Sequence, residues 1–153
     1  MQPSNFHRRS PIVEAAAKQF HYASPLRDYW AGHLATLAWD HYATLTFASA
    51  VSVNRARREF VDGFVRRCAF HSLRPIFWFY AMERDAIGDR IHVHALIAGT
   101  TLVNVARIEG SWPAGHSRIR IYNRTRGAAG YVVKTIATDH AEYDVSTRWP
   151  PIV

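Results

Sequence analysis

Cysteine is nearly absent from this sequence, because Cys68 is the only one among 153 residues. A single cysteine excludes an intrachain disulfide. Long apolar runs are absent as well, since no stretch approaches the roughly 20 residues that a membrane-spanning helix needs. The N-terminus also lacks the apolar segment that is typical of a secretory signal. We therefore expect a soluble, cytoplasmic protein that does not act in a membrane.

Lysine is scarce too, although the chain is strongly basic. Lys18 and Lys134 are the only lysines among 19 basic residues, and the formal net charge is +7. Arginine forms bidentate hydrogen bonds with phosphates and stacks on bases. Together with 13% aromatic residues, this excess favours nucleic acid over a lipid surface as the partner. A genome rich in arginine codons is the alternative explanation.

The length is that of one ordinary domain with a single core. Within it, residues 1–40 are predicted to be an N-terminal helical extension, because Ser10-Pro11 and Ser24-Pro25 each resemble the start of a short helix. Residues 41–153 are predicted to form the main domain.

The main domain alternates between the periodicities of strands and helices. Strands are predicted at Tyr42–Ala48, Pro75–Glu83, Arg90–Ala98 and Ser117–Tyr122, with a possible edge strand in residues 142–153. Helices are predicted at Ser52–Phe70, at Thr101–Ser111 with Thr101 as the cap, and at Ala128–Ala137. This split β-α-β order predicts an α+β fold of ferredoxin-like or RRM-like type, with an antiparallel sheet of about five strands and helices packed on it.

His92 and His94 are candidate metal ligands, because alternate side chains of a strand point to the same face and lie about 7 Å apart. Glu83 joins them through the predicted hairpin. It pairs with His92 if the hairpin turns on Ile87-Gly88, and with His94 if it turns on Gly88-Asp89. Two imidazoles and a carboxylate form a mixed nitrogen and oxygen site that suits Mg²⁺ or Mn²⁺.

Tyr131 is the candidate nucleophile. Lys134 follows it by three residues, so the two side chains are predicted to share one face of a helix. Attack by a tyrosine on a phosphodiester requires loss of the phenolic proton and stabilisation of charge on the phosphate. A neighbouring cation and a metal ion meet those requirements.

Three segments, in this order, resemble motifs of the HUH endonucleases, and within them of the Rep-type initiators of rolling-circle replication. Tyr42–Phe47 resembles the first motif, a strand near the DNA-binding surface. Ile91–Ile97, with its His-Val-His centre, resembles the HUH motif, and Tyr131–Lys134 resembles the YxxK motif. Glu83 stands where Rep proteins often place an acidic metal ligand.

The resemblance implies a metal-dependent nickase and strand transferase for DNA. A metal held by His92, His94 and Glu83 is expected to polarise the scissile phosphate, Tyr131 to form a 5′-phosphotyrosine intermediate, and Lys134 to stabilise it. The expected partner is single-stranded DNA at a replication origin hairpin, with a separate helicase. The residues expected to contact DNA are Thr46, Arg118, Arg120, Arg124 and Arg126.

Three alternatives remain open at this stage. One is a transposase-type HUH nuclease. Another is a non-catalytic module that binds single-stranded nucleic acid through exposed aromatic residues such as Phe77, Phe79 or Tyr80. The third is a zinc hydrolase that uses His92 and His94 without a covalent intermediate.

Overall fold

The computed structural model describes residues 25–85, 87, 89–134, 136 and 142–153. Its strands form one antiparallel sheet in the order β4-β1-β3-β2-β5. The strands are β1 (His41–Phe47), β2 (Phe77–Arg84), β3 (Ile91–Ala98), β4 (Gly115–Ile121) and β5 (Glu142–Val145). The predicted α+β class and the predicted five-stranded antiparallel sheet are confirmed. β3 lies between β1 and β2, as the split β-α-β order requires.

Helices cover both faces of this sheet. They are α1 (Pro25–Ala35), α2 (Val53–Arg58), α3 (Arg66–Ser72), α4 (Val105–Gly110) and α5 (Ala128–Val132). The helix predicted after Ser10-Pro11 lies outside the described residues. In the part of the chain that the structure describes, no helix has the length and apolar character to cross a membrane.

A π-helical stretch, Glu59–Val65, joins α2 to α3. Ser52 begins this composite helix by accepting a hydrogen bond from the Arg55 backbone N–H. Four buried side chains then recur at every fourth position, namely Ala56, Phe60, Phe64 and Cys68. An α-helix has about 3.6 residues per turn, so this spacing would rotate the row off the sheet. The wider π turn compensates for the rotation and keeps the row in the core.

The two faces of the sheet carry separate hydrophobic clusters. The composite helix and α4 cover the face of Leu45 and Val93, whereas α1 and α5 cover the face of Phe79 and Leu96. Phe79 and Tyr80 are consequently 0% and 3% exposed. The alternative in which these two aromatic side chains stack on bases is therefore wrong, because neither reaches the surface.

The segment before β1 contributes to this second cluster. Leu34, Leu37 and Trp39 are buried in it, and the Trp30 ring lies 5.2 Å from the Phe79 ring, centroid to centroid. The described part of residues 1–40 thus packs directly on the sheet.

Some predicted boundaries are wrong. Asn104, not Thr101, caps α4 by accepting a hydrogen bond from the Ala106 N–H, because the Thr101 hydroxyl donates to Asp40 instead. β4 begins two residues before the predicted Ser117, and α5 ends at Val132. The predicted edge strand is present as β5, which pairs with β2.

Candidate functional site

The site begins where the apolar cluster under α5 ends. His92 and His94 share one face of β3, four and two residues before Leu96 on that face. On the neighbouring strand β1, Thr46 is paired with His92 and Thr44 with His94. Since cross-strand partners share a face, histidines and hydroxyl side chains form a polar patch beside a buried apolar one.

Glu83 lies directly opposite His92 on β2. This is the register predicted for a turn on Ile87-Gly88, so that register is correct and the other is wrong. The carboxylate does not contact its direct partner, however. It reaches diagonally along the sheet, and its Oε2 lies 3.0 Å from the Nε2 of His94.

Lys134 connects Glu83 with Tyr131. Its Nζ lies 2.9 Å from the Glu83 Oε2 and 4.1 Å from the centroid of the Tyr131 ring. The prediction that Tyr131 and Lys134 share a helix face is wrong in detail, because α5 ends at Val132. A turn follows, in which the Lys134 N–H donates to the Tyr131 carbonyl at 3.2 Å. The turn brings the two side chains together.

The Tyr131 ring packs over the histidine face. It meets the His94 ring edge to face, with centroids 5.2 Å apart and planes at 89°. The Tyr42 ring lies 5.9 Å away in a similar arrangement. Tyr131 nevertheless remains 48% exposed, so its ring borders both the buried site and the solvent.

Electrostatics favour a neutral imidazole between charged neighbours. Burial lowers the pKa of His94, and its hydrogen bond with Glu83 opposes this without overcoming it. Burial raises the pKa of Glu83, but hydrogen bonds from Lys134 and His94 outweigh burial and leave that pKa lowered. Burial lowers the pKa of Lys134, and its contacts with Glu83 and Tyr131 more than reverse this. At neutral pH the site therefore holds a neutral His94, an ionised Glu83 and a charged Lys134.

Hydroxyl groups of β1 contact the other ring nitrogen of each histidine. The Tyr42 hydroxyl lies 3.1 Å from the Nδ1 of His94, and Thr44 donates to that hydroxyl at 3.2 Å. The Thr46 Oγ1 lies 3.2 Å from the Nδ1 of His92. The predicted DNA contact of Thr46 thus has its hydroxyl engaged inside the protein. Sequence reasoning missed Tyr42 and Thr44, although the alternation of β1 already placed them on one face with Thr46.

Asp85 is a second carboxylate that sequence reasoning missed. It follows the end of β2, and its Oδ2 lies 3.8 Å from the Nε2 of His92 and 3.7 Å from Arg90. Among the described residues, no three His, Cys, Asp or Glu side chains are arranged to hold a metal ion. The predicted ligands do share one face, and Glu83 and His94 are in contact. Their oxygen and nitrogen donors match the chemistry that Mg²⁺ and Mn²⁺ accept.

A groove of about 860 Å³ opens beside Tyr131. Its walls include Tyr42, Thr44 and three of the predicted DNA-binding arginines, namely Arg118, Arg120 and Arg126. Arg118 is paired with Thr44 across β1 and β4, and Arg120 with Tyr42, so both project from the site face. Arg124 is exposed on a 3₁₀ turn and does not appear among the described residues of the groove wall.

The comparison with known families agrees with this geometry. The family model for the replication-associated protein ORF2 matches residues 40–140, which is more than half of the chain and includes every residue of the site described above. No curated protein and no solved structure matches the chain. The chain therefore belongs to this replication-associated protein family, which is of rolling-circle Rep type.

Proposed function

We propose that this protein is a metal-dependent, HUH-type endonuclease and strand transferase that nicks single-stranded DNA to initiate rolling-circle replication. The observation that carries the proposal is the position of Tyr131. Its exposed ring borders an arginine-lined groove on one side and contacts Lys134 and His94 on the other. A nucleophile, a cation and potential metal ligands therefore meet where a DNA backbone would enter.

The groove supplies the binding energy for the strand. Arg118, Arg120 and Arg126 line it, and guanidinium groups bind phosphates through paired hydrogen bonds. Base-independent contacts of this kind hold the backbone in register but do not read the sequence. We expect the strand to run along these arginines with one phosphate beside Tyr131.

The chemical step is an exchange of one phosphodiester for another. The Tyr131 oxygen loses its proton and bonds to phosphorus, while the bond from phosphorus to the 3′-oxygen breaks. The leaving oxygen takes up a proton and departs as a 3′-hydroxyl. Lys134 lies where its charge stabilises the phosphate oxygens as negative charge develops on them. A later 3′-hydroxyl reverses the exchange and joins strands without ATP.

His92, His94 and Glu83 would hold the divalent cation, Mg²⁺ or Mn²⁺. When bound, such a cation supplies Lewis-acid polarisation of the scissile phosphate. His94 is suited to this role because its imidazole is neutral at pH 7, with its pKa lowered mainly by burial. Glu83 is suited because it stays ionised, as hydrogen bonds from Lys134 and His94 outweigh the effect of its burial on its pKa.

The expected substrate is the single-stranded part of an origin hairpin, and unwinding is assigned to a separate helicase. A pool of hairpin oligonucleotides with randomised single-stranded loops tests the function without knowledge of the origin. The pool is incubated with the protein and Mn²⁺, with the label at either the 3′ or the 5′ end. A 3′ label is expected in a covalent protein band, and a 5′ label in a free fragment with an extendable 3′-hydroxyl.

Matched variants and a chelator complete the test. Tyr131→Phe and EDTA are each expected to abolish the band, whereas Tyr29→Phe, an exposed tyrosine on α1, is expected to keep it. DNA binding without any adduct would instead support the non-catalytic binding module. Cleavage without an adduct, accompanied by stoichiometric zinc, would support the zinc hydrolase.

A further inference from the structure

The strand β1 carries a row of hydroxyl groups that the proposed chemistry does not use directly. Tyr42, Thr44 and Thr46 alternate with the buried residues Ala43 and Leu45 along this strand. Their side chains are partly buried on the face that holds the histidines. Polar groups in such positions need hydrogen-bond partners, and the histidine rings of β3 provide them.

The contacts are specific to one nitrogen of each ring. Thr46 reaches Nδ1 of His92, and Tyr42 reaches Nδ1 of His94. The Nε2 atoms face the other way, toward carboxylates: 3.0 Å from Glu83 for His94 and 3.8 Å from Asp85 for His92. Strand β1 therefore occupies Nδ1 and leaves Nε2 as the nitrogen on the acidic side.

We infer that Tyr42, Thr44 and Thr46 are positioning residues that fix the orientation and tautomer of the two histidines, so that Nε2 of each ring is the atom offered to a metal ion. A hydroxyl suits this role because it can either donate or accept. Without metal, the His94 Nε2–H donates to Glu83 and its Nδ1 accepts from Tyr42. With metal, Nε2 gives up its proton to coordinate, and the proton on Nδ1 is then donated to the Tyr42 oxygen.

Thr44 acts one step further out. Its hydroxyl donates to the Tyr42 oxygen and lies 3.5 Å from the Nδ1 of His94. It thereby restrains the hydroxyl that orients His94. The metal-bound half of this inference rests on the proposed function, whereas the half that concerns the metal-free rings does not.

Nitrogen NMR of the histidine rings tests the inference directly. In metal-free protein labelled with ¹⁵N, two-bond nitrogen–proton correlations report which ring nitrogen carries the proton. We expect His94 to be the Nε2–H tautomer, and diamagnetic Zn²⁺, used as a probe, to convert it to Nδ1–H. Tyr42→Phe is expected to convert the single metal-free tautomer of His94 into a mixture, and Thr46→Val to change the ring signals of His92. Unchanged tautomers in both variants would overturn the inference.

Metal affinity provides the second readout, measured by calorimetric titration with Mn²⁺. Loss of an outer hydrogen bond to a ligating histidine typically weakens binding about 10-fold to 100-fold, so we expect at least about tenfold for Thr46→Val and for Tyr42→Phe. Thr46→Ser, which retains the hydroxyl, should restore most of the affinity. Thr36→Val and Tyr29→Phe, both at exposed positions on or after α1, serve as controls and should bind like the wild type.

The two readouts separate the two ideas. If the wild-type protein binds no Mn²⁺, the proposed metal-dependent function is wrong, and the metal-free tautomers still decide whether β1 positions the rings. If Mn²⁺ binds and Thr46→Val and Thr46→Ser bind it equally well, the hydroxyl has no positioning role at His92 and the inference fails there.

Discussion

The ammonium group of Lys134 lies 4.1 Å from the centre of the Tyr131 ring. The same nitrogen forms an ion pair with Glu83 at 2.9 Å. One cation therefore joins the proposed nucleophile to a proposed metal ligand. Its place after the end of α5 depends on the short turn that follows Val132.

Replacing Lys134 should impair the chemical step more than DNA binding. Loss of one preorganised group that stabilises a developing oxyanion typically costs about 100-fold or more in rate, so we expect about that loss in the single-turnover cleavage rate of Lys134→Ala. Lys134→Arg keeps the charge and should retain more activity. Equal cleavage rates for Lys134→Ala and the wild type would remove Lys134 from the mechanism.

The arginines of the groove should control affinity and its dependence on salt. Each of Arg118→Ala, Arg120→Ala and Arg126→Ala should weaken binding of single-stranded DNA and reduce the log–log salt slope by about one. Arg124→Ala provides the matched control, since Arg124 carries the same charge but is exposed on the neighbouring turn. Fluorescence anisotropy at several salt concentrations measures both quantities. A larger loss for Arg124→Ala would place the DNA path outside the groove.

Glu83 and Asp85 should differ as metal ligands. The Glu83 carboxylate contacts His94 and Lys134 within 3.0 Å, whereas Asp85 lies 3.8 Å from His92. We expect Glu83→Gln to weaken Mn²⁺ binding at least about tenfold and Asp85→Asn to weaken it less. Calorimetry on the two isosteric variants provides the comparison. The reverse order would make Asp85 the main carboxylate ligand.

Alkaline pH should destabilise the fold through Cys68. Burial raises the pKa of this thiol to about 11, against an ordinary value of 9.0, with a Ser111 hydrogen bond opposing the shift. The unfolded chain therefore releases the proton first, so stability is unaffected below about pH 9 and is lost as the pH rises toward 11. By pH 10.5 the loss should be on the order of 2 kcal/mol.

Urea unfolding at pH 8 and pH 10.5 measures this loss in the wild type and in Cys68→Ala. The variant is less stable at both values, because it leaves a cavity in the core, but it should lose less stability between them. An equal loss in both proteins would show that other groups cause the alkaline effect.

The order of elements and the register could be predicted because they follow from local patterns. The alternation of β1 and β3 placed His92 and His94 on one face. The length of the hairpin restricted Glu83 to two possible partners, and the structure selects His92. Register alone did not show that the Glu83 carboxylate contacts His94, since the direction of a long side chain depends on its neighbours.

Contacts that join distant segments could not be predicted from local patterns. Thr101 resembled a helix cap, but its hydroxyl bonds to Asp40, which precedes β1. Thr46 resembled a DNA contact, but its hydroxyl meets His92. In both cases a partner far along the chain competes for the same hydroxyl, and sequence spacing does not reveal it.

The identity of the modified residue tests the central claim most directly. The covalent product of the oligonucleotide pool is digested with protease and nuclease, and the nucleotide-bearing peptide is sequenced by mass spectrometry. The account predicts a phosphodiester on Tyr131 and no adduct in Tyr131→Phe. Attachment to Tyr42, Tyr122 or any other residue, with an adduct that persists in Tyr131→Phe, would contradict it.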